Sequence, residues 1–189
     1  MSILAKKKHM KKIILGLFLI LGMSAIHAQE AATQRKNDII ADPFLLIAIP
    51  MINVSYERLL SENKGVGINA MITLDGGDDQ FTQFSGFYRM YLGKKYASGF
   101  FLEGFIPVTT ETVDVYNYSY DDINPYNSSI SSRSFTTVGI GFGVGGKWVL
   151  KNNLVIEASG GIARRFGDSD KYYFEDVTVK LMGGIGYRF

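Results

Sequence analysis

Apolar and polar residues alternate along most of this chain, and the alternation is clearest at its end. From Val177 to Phe189 the sequence reads V-T-V-K-L-M-G-G-I-G-Y-R-F. Val177, Val179, Leu181, Ile185, Tyr187 and Phe189 share one parity; Thr178, Lys180, Met182, Gly184, Gly186 and Arg188 share the other. Side chains in a strand alternate between faces, so this is a strand with one apolar face and one small or charged face. The same period recurs upstream. Met51–Leu60 sets Ile52, Val54, Tyr56 and Leu60 against Asn53, Ser55 and Glu57. Gly65–Leu74 sets Val66, Ile68, Ala70, Ile72 and Leu74 against Gly67, Asn69 and Thr73. Phe81–Leu92 sets Phe84, Tyr88, Met90 and Leu92 against Gln83, Ser85 and Arg89. Gly99–Val108 opposes Phe100, Leu102, Ile106 and Val108 to Phe101, Glu103 and Phe105. Phe135–Leu150 opposes Val138, Ile140, Phe142, Val144, Trp148 and Leu150 to Gly139, Gly141, Gly143, Gly145 and Lys147. Leu154–Phe166 opposes Leu154, Ile156, Ala158, Ile162 and Phe166 to Glu157, Ser159 and Arg165. A first strand, about Asn37–Leu46, is the least regular. Pro43 lies inside it, which points to a bulge or a strand end.

The pattern predicts an all-β protein with eight antiparallel strands. Most strands have the roughly 9–11 residues that cross a bilayer at a tilt. Connections near 61–64, 93–97 and 151–153 are short, while Thr109–Ser134 and Gly167–Glu175 are longer. From a periplasmic N-terminus, every short turn falls on the periplasmic side, as in outer-membrane barrels. Val113 and Val115 suggest that the fifth strand runs on as a protruding hairpin with a turn near Asn124-Pro125. No later stretch is long and apolar enough for a membrane helix, and a spanning sheet must close because lipid cannot satisfy free backbone groups. The expected fold is therefore an eight-stranded, up-and-down transmembrane β-barrel. A soluble lipocalin-like barrel alternates too, but its outer face would carry many Lys and Glu. Here the polar face is rich in Gly, Ser, Thr and Asn, which suits a narrow lumen. Tyr56, Tyr88, Trp148 and Tyr187 fall near strand ends, where aromatic girdles sit.

The first residues are of another kind. Lys6, Lys7, Lys8, Lys11 and Lys12 precede the apolar run Ile13–Met23, and Ala25-Ile26-His27-Ala28 offers a cleavage site. Residues 1–28 read as a cleavable signal peptide, with a mature barrel over 29–189; Met10 is an alternative start. Five of the 20 Lys+Arg leave with the signal and all 18 Asp+Glu remain, so the mature net charge is 15 against 18, or −3. No basic patch for nucleic acid is left. The chain has no Cys, and its two histidines, His9 and His27, lie in the signal. Disulfides, thiolate metal sites and His-based catalysis are excluded from the mature chain, and neither an enzyme activity nor a cofactor is expected.

Two groups of residues could carry function. Glu57, Arg89, Glu103, Lys147, Glu157, Lys180 and Arg188 point to the predicted lumen. If Leu150 pairs with Leu154, Lys147 stands opposite Glu157. Charges inside a barrel need partners, so these read as a mutually neutralising plug, with an ion or proton path as the alternative. The second group is the surface segment, where Tyr116, Tyr118, Tyr120 and Tyr126 interleave with Asp114, Asp121 and Asp122, a composition that binding surfaces use. Asp75, Asp78, Asp79, Asp168 and Asp170 could gather a divalent cation, but acidic loops are commonly just solvated, and no metal site is assigned.

The Ala28-Gln29 cleavage point, Tyr56-Glu57-Arg58, Phe87-Tyr88-Arg89-Met90-Tyr91-Leu92 before a turn, and the terminal Gly186-Tyr187-Arg188-Phe189 together resemble small Gram-negative outer-membrane β-barrel proteins of unknown function, similar to the OmpX and OmpA barrels. The resemblance implies an outer-membrane location among lipid and lipopolysaccharide. It also implies insertion by the barrel-assembly machinery, with Tyr187 and Phe189 in the recognition signal, and no catalytic residues. A peptidoglycan-binding domain after the barrel is not expected. The functional expectation is a monomeric barrel with a plugged interior, whose loops serve structural or surface-interaction roles with an unidentified extracellular ligand. A narrow ion or small-solute channel and a soluble periplasmic ligand-binding barrel are the alternatives.

Overall fold

The computed structural model describes residues 35–74, 80–121, 124–167 and 176–189, and for 113–121 and 124–131 the backbone alone. The expected signal segment and the positions Asp75, Asp78, Asp79, Asp122, Asp168 and Asp170 lie outside the described residues. So do the side chains of Asp114, Tyr116, Tyr118, Tyr120, Asp121 and Tyr126. The element order is β1 (Asn37–Ala41), a helical turn α1 (Pro43–Ala48), β2 (Met51–Ser61), β3 (Lys64–Thr73), β4 (Gln80–Tyr91), β5 (Gly99–Asp121) and β6 (Asn124–Val149). A 3-10 turn at Lys151–Asn153 then leads to β7 (Leu154–Phe166) and β8 (Val177–Arg188). Each strand pairs antiparallel with the next, and β8 pairs with β1 to close the barrel.

The register fixes the barrel's dimensions. Following partners from Asp38 leads through Glu57, Gly67, Phe87, Phe105, Gly141 and Ala163 to Thr178. Asp38 itself pairs with Arg188, ten positions further along β8. A stagger of this size in an eight-stranded barrel tilts the strands by about 40° and leaves an interior that side chains can fill.

Alternation becomes an inside and an outside. Ile68, Phe100, Ile140 and Phe142 are 65, 71, 63 and 67% exposed on the outer wall. Asn53, Glu57, Asn69, Gln83, Arg89, Lys147 and Glu157 are buried within. The lumen is less uniformly small and polar than expected, since Phe87, Tyr91, Phe101 and Phe105 also point inward and are buried. The inward glycines of β6 make room for them. A Cβ at Gly145 would lie 2.6 Å from Phe101 Cζ, and one at Gly141 would lie 2.7 Å from Phe105 Cζ.

Three segments depart from the expected outline. The first strand stops at Ala41 instead of reaching Leu46. Pro43 has no N–H for a ladder but suits the first position of a helix. Asp42 caps that helix, its Oδ1 accepting from Phe44 N at 2.9 Å and Leu45 N at 3.0 Å. The Thr109–Ser134 stretch, expected as a long outer connection in which the fifth strand runs on as a hairpin turning near Asn124-Pro125, is such a hairpin with longer strands than expected, paired from Val108↔Val138 to Asp121↔Asn124 with one register shift between Ser119 and Asp121. β4 follows β5 only to Thr112, and β7 follows β6 only to Val138, so the ribbon beyond pairs only with itself among the described residues. Finally, the turn after β4, expected near 93–97, runs between Tyr91 and Gly99 and is not a simple tight reversal. It folds inward, so that Ala97 is fully buried against Leu59, Tyr91 and Phe101. Only glycine fits at Gly93, where a Cβ would strike the Ser98 carbonyl, and Gly99 follows at φ +102°.

Candidate functional site

Seven strands send charged side chains into one layer of the lumen. β1 supplies Asp38, β2 Glu57, β4 Arg89, β5 Glu103, β6 Lys147, β7 Glu157, and β8 both Lys180 and Arg188. β3 supplies space, because a Cβ at Gly65 would overlap the Glu57 carboxylate.

Arg89 is the hub. Its Nε donates to Glu103 Oε2 at 2.6 Å, its Nη1 to Glu57 Oε2 at 2.9 Å, and its Nη1 and Nη2 to the two Glu157 oxygens at 2.7 Å each. The planar guanidinium matches a carboxylate with two parallel bonds, so the Glu157 contact is the geometrically strongest one. Lys147 lies 3.0 Å from Asp38 Oδ2 and 3.6 Å from Glu157 Oε2, and also pairs with Glu57. Lys180 pairs with Glu103. Arg188 grips Asp38 through Nε at 2.7 Å and Nη2 at 2.9 Å, and donates to the carbonyls of Tyr96 and Ala97 in the infolded turn. Tyr91 Oη donates to Glu57 at 2.7 Å.

The aromatic residues enclose this layer. Arg89 Cζ lies 4.3 Å from the Phe87 ring centre and 4.4 Å from that of Phe101. Lys180 Nζ lies 4.2 Å from the Phe87 ring. Such faces attract cations, most strongly where water is excluded.

All seven charges expected in the lumen come together here, with Lys147 opposite Glu157 in the ladder. Those seven alone carry one excess positive charge. The eighth member, Asp38, brings the layer to four acids and four bases. Sequence reading missed Asp38 because it stands in the one strand whose alternation Pro43 interrupts. Its signal was its spacing from Ile39 and Ala41, which places it on the inner parity. The Phe87, Phe101 and Phe105 shell was also missed as a partner of the charges, because an inward aromatic on a strand looks like a break in the polar face.

Away from the short turns the lumen holds a second, uncharged layer. Gln83 crosses it. Its Oε1 accepts from Thr109 and Thr178 at 3.0 and 2.8 Å, and its Nε2 donates to the Val179 carbonyl at 3.3 Å. Asn69 Nδ2 donates to Asn53 Oδ1 at 2.8 Å. Nearer the projecting ribbon, Arg165 pairs with Glu111 at 2.7 Å. Among the described residues no cluster of acidic or His side chains is disposed to hold a metal ion.

No protein-family model and no curated protein matches the chain. Among solved structures it is similar to the N-terminal β-barrel domain of Pseudomonas aeruginosa OprF and to Neisserial surface protein A. The first is 16% identical with a TM-score of 0.47, over 82% of this chain and 98% of that one. The second is 14% identical with a TM-score of 0.45, over 82% and 95%.

Proposed function

We propose that this protein is a non-enzymatic outer-membrane β-barrel that is closed to bulk flow and presents the β5–β6 ribbon as a surface-interaction element. The observation that carries the reading is the inversion of polarity across the wall. Large apolar side chains cover the outside, while the eight ionic groups of the lumenal layer are buried inside and paired. A water-soluble protein rarely exposes an apolar surface this extensive, whereas lipid is its natural solvent.

The charge layer supports a plug over a pore. Each carboxylate already binds one or more cations within an aromatic shell, which leaves no unpaired charge to draw an ion through. It also leaves no free acid or base for catalysis. The ribbon beyond Thr112 and Val138 supports an interaction role. It is rich in Tyr, Asn and Ser, and its two outer edges have no strand neighbour among the described residues. Partners of this reading are outer-membrane lipid and lipopolysaccharide around the wall, and the assembly machinery acting on the strand that ends in Tyr187 and Phe189. The sheet closes on itself through the β1–β8 pairing, and side chains cap the backbone where β1 falls short, which suits a monomer.

The test is gel mobility of protein from washed outer membranes, with and without boiling in detergent. A heat-dependent shift is expected. Recovery in the soluble periplasmic fraction with no shift would instead favour the ligand-carrying soluble barrel. In planar bilayers the unaltered protein is expected to give no steady conductance.

A further inference from the structure

The barrel wall is discontinuous where β1 falls short of β8. β1 pairs with β8 only from Asp38↔Arg188 to Ala41↔Ile185. Beyond Ile185, β8 keeps β7 on one side but has no strand on the other among the described residues. The short helix α1 stands there instead, with Phe44 66% and Ile47 81% exposed. The backbone groups that β1 would have met are held by lumenal side chains. Gly183 N donates to Asp42 Oδ2 at 2.7 Å. The Leu181 carbonyl accepts from Asn53 Nδ2 at 2.7 Å, and the Val179 carbonyl accepts from Gln83. A side-chain bond opens by a rotamer change, whereas a ladder bond opens only with its strand.

From this seam a polar path leads inward, from Leu181 to Asn53, from Asn53 to Asn69, and from Asn69 to its cross-strand partner Ser85. It ends on two buried atoms without a hydrogen-bond partner, Asn69 Oδ1 and Ser85 Oγ. Such atoms are costly to bury and stand ready for a donor and an acceptor from outside the chain.

We propose that the wall between α1 and β8 is a lateral portal through which the hydroxyl-bearing head of an uncharged amphiphile enters from the bilayer and binds Asn69 and Ser85. The charge of the head follows from what lines the path. Asp42 already accepts from Phe44 N, Leu45 N, Gly183 N and Asn53. Lys180 is bound to Glu103, and Arg165 to Glu111. A phosphate would find no uncommitted cation and would meet the Asp42 carboxylate, and an ammonium would find all four acceptor positions of that carboxylate already taken, so either would keep much of its desolvation cost.

This inference rests on the membrane reading, and the test separates the two. The chain has no cysteine, so Ser85→Cys provides a unique thiol. The variant is inserted into phosphatidylcholine vesicles, checked for heat-dependent mobility, and exposed to N-dodecylmaleimide or to a membrane-impermeant sulfonated maleimide. The bilayer-borne reagent is expected to react several-fold faster. Gly183→Leu, which fills the seam beside Phe44, should slow that reaction, and Asn53→Leu should speed it. A monoacylglycerol in the vesicles should protect the thiol, and an alkyl phosphate should not. No reaction with either reagent, or equal rates with both, would overturn the portal. Equal protection by both lipids would overturn the uncharged head. Phe142→Cys on the outer wall is the control, and its failure to react from the bilayer would sink the membrane reading itself.

Discussion

Arg89 holds three carboxylates at once, from Glu57, Glu103 and Glu157, and all four side chains are buried. Removing one member of a buried ionic cluster leaves the others uncompensated, which typically costs about 3–5 kcal/mol. Arg89→Met is therefore expected to lower barrel stability by at least that amount, read as the midpoint of the heat-dependent mobility shift or of urea unfolding in detergent. Arg89→Lys should lose less, because it keeps the charge but not the paired bonds to Glu157. Lys147 and Glu157 provide a sharper test of coupling. Replacing Lys147 by Met and Glu157 by Gln together should cost less than the two single changes added, with a coupling on the order of 0.5–3 kcal/mol. Additive effects would mean that the 3.6 Å contact contributes nothing.

Within single elements, two features follow from packing against neighbours. The inward glycines of β6 fit under the rings of β5, so Gly141→Val should press on Phe105 and Ala163 and destabilise the barrel by about 1–3 kcal/mol. Phe105→Ala in the same chain should recover part of the loss, which unfolding of the double variant would show. At α1, Asp42→Ala removes a helix cap and the acceptor for Gly183 N together. A cap alone is worth about 0.5–2 kcal/mol, so the loss should exceed that of an ordinary exposed cap. Element boundaries were legible wherever alternation was unbroken, and β7 spans the expected Leu154–Phe166. They were not legible at Pro43, where one residue serves equally well as a strand end or a helix start, and its neighbour Asp42 decides between them. Along Thr109–Ser134 the hairpin and its turn near Asn124-Pro125 were legible from Val113 and Val115, but the full length of its two strands was not, because no buried face imposes a period on polar residues there.

At the level of the whole molecule, closure turns a local alternation into a sealed interior. The plug and the conductance are thereby linked. A variant that opens the charge layer while remaining folded, such as Lys147→Met, should raise conductance in planar bilayers if the layer is what blocks the lumen. Lower stability with unchanged conductance would assign it a structural role only. The amino-acid sequence by itself determined β2 to β8, the inner and outer parity along their regular stretches, and the pairing of Lys147 with Glu157, because all of these depend on a period of two and on one short turn. Only the tertiary structure decided which charges meet across the lumen, since Arg89 contacts Glu157 on a strand far from its own in sequence. It alone decided that Asp38 completes the balance, that the Leu92–Ser98 turn folds inward, and that the wall is knitted by side chains where β1 falls short. Those outcomes depend on the stagger of the closed ladder, and the stagger is a property of eight registers taken together.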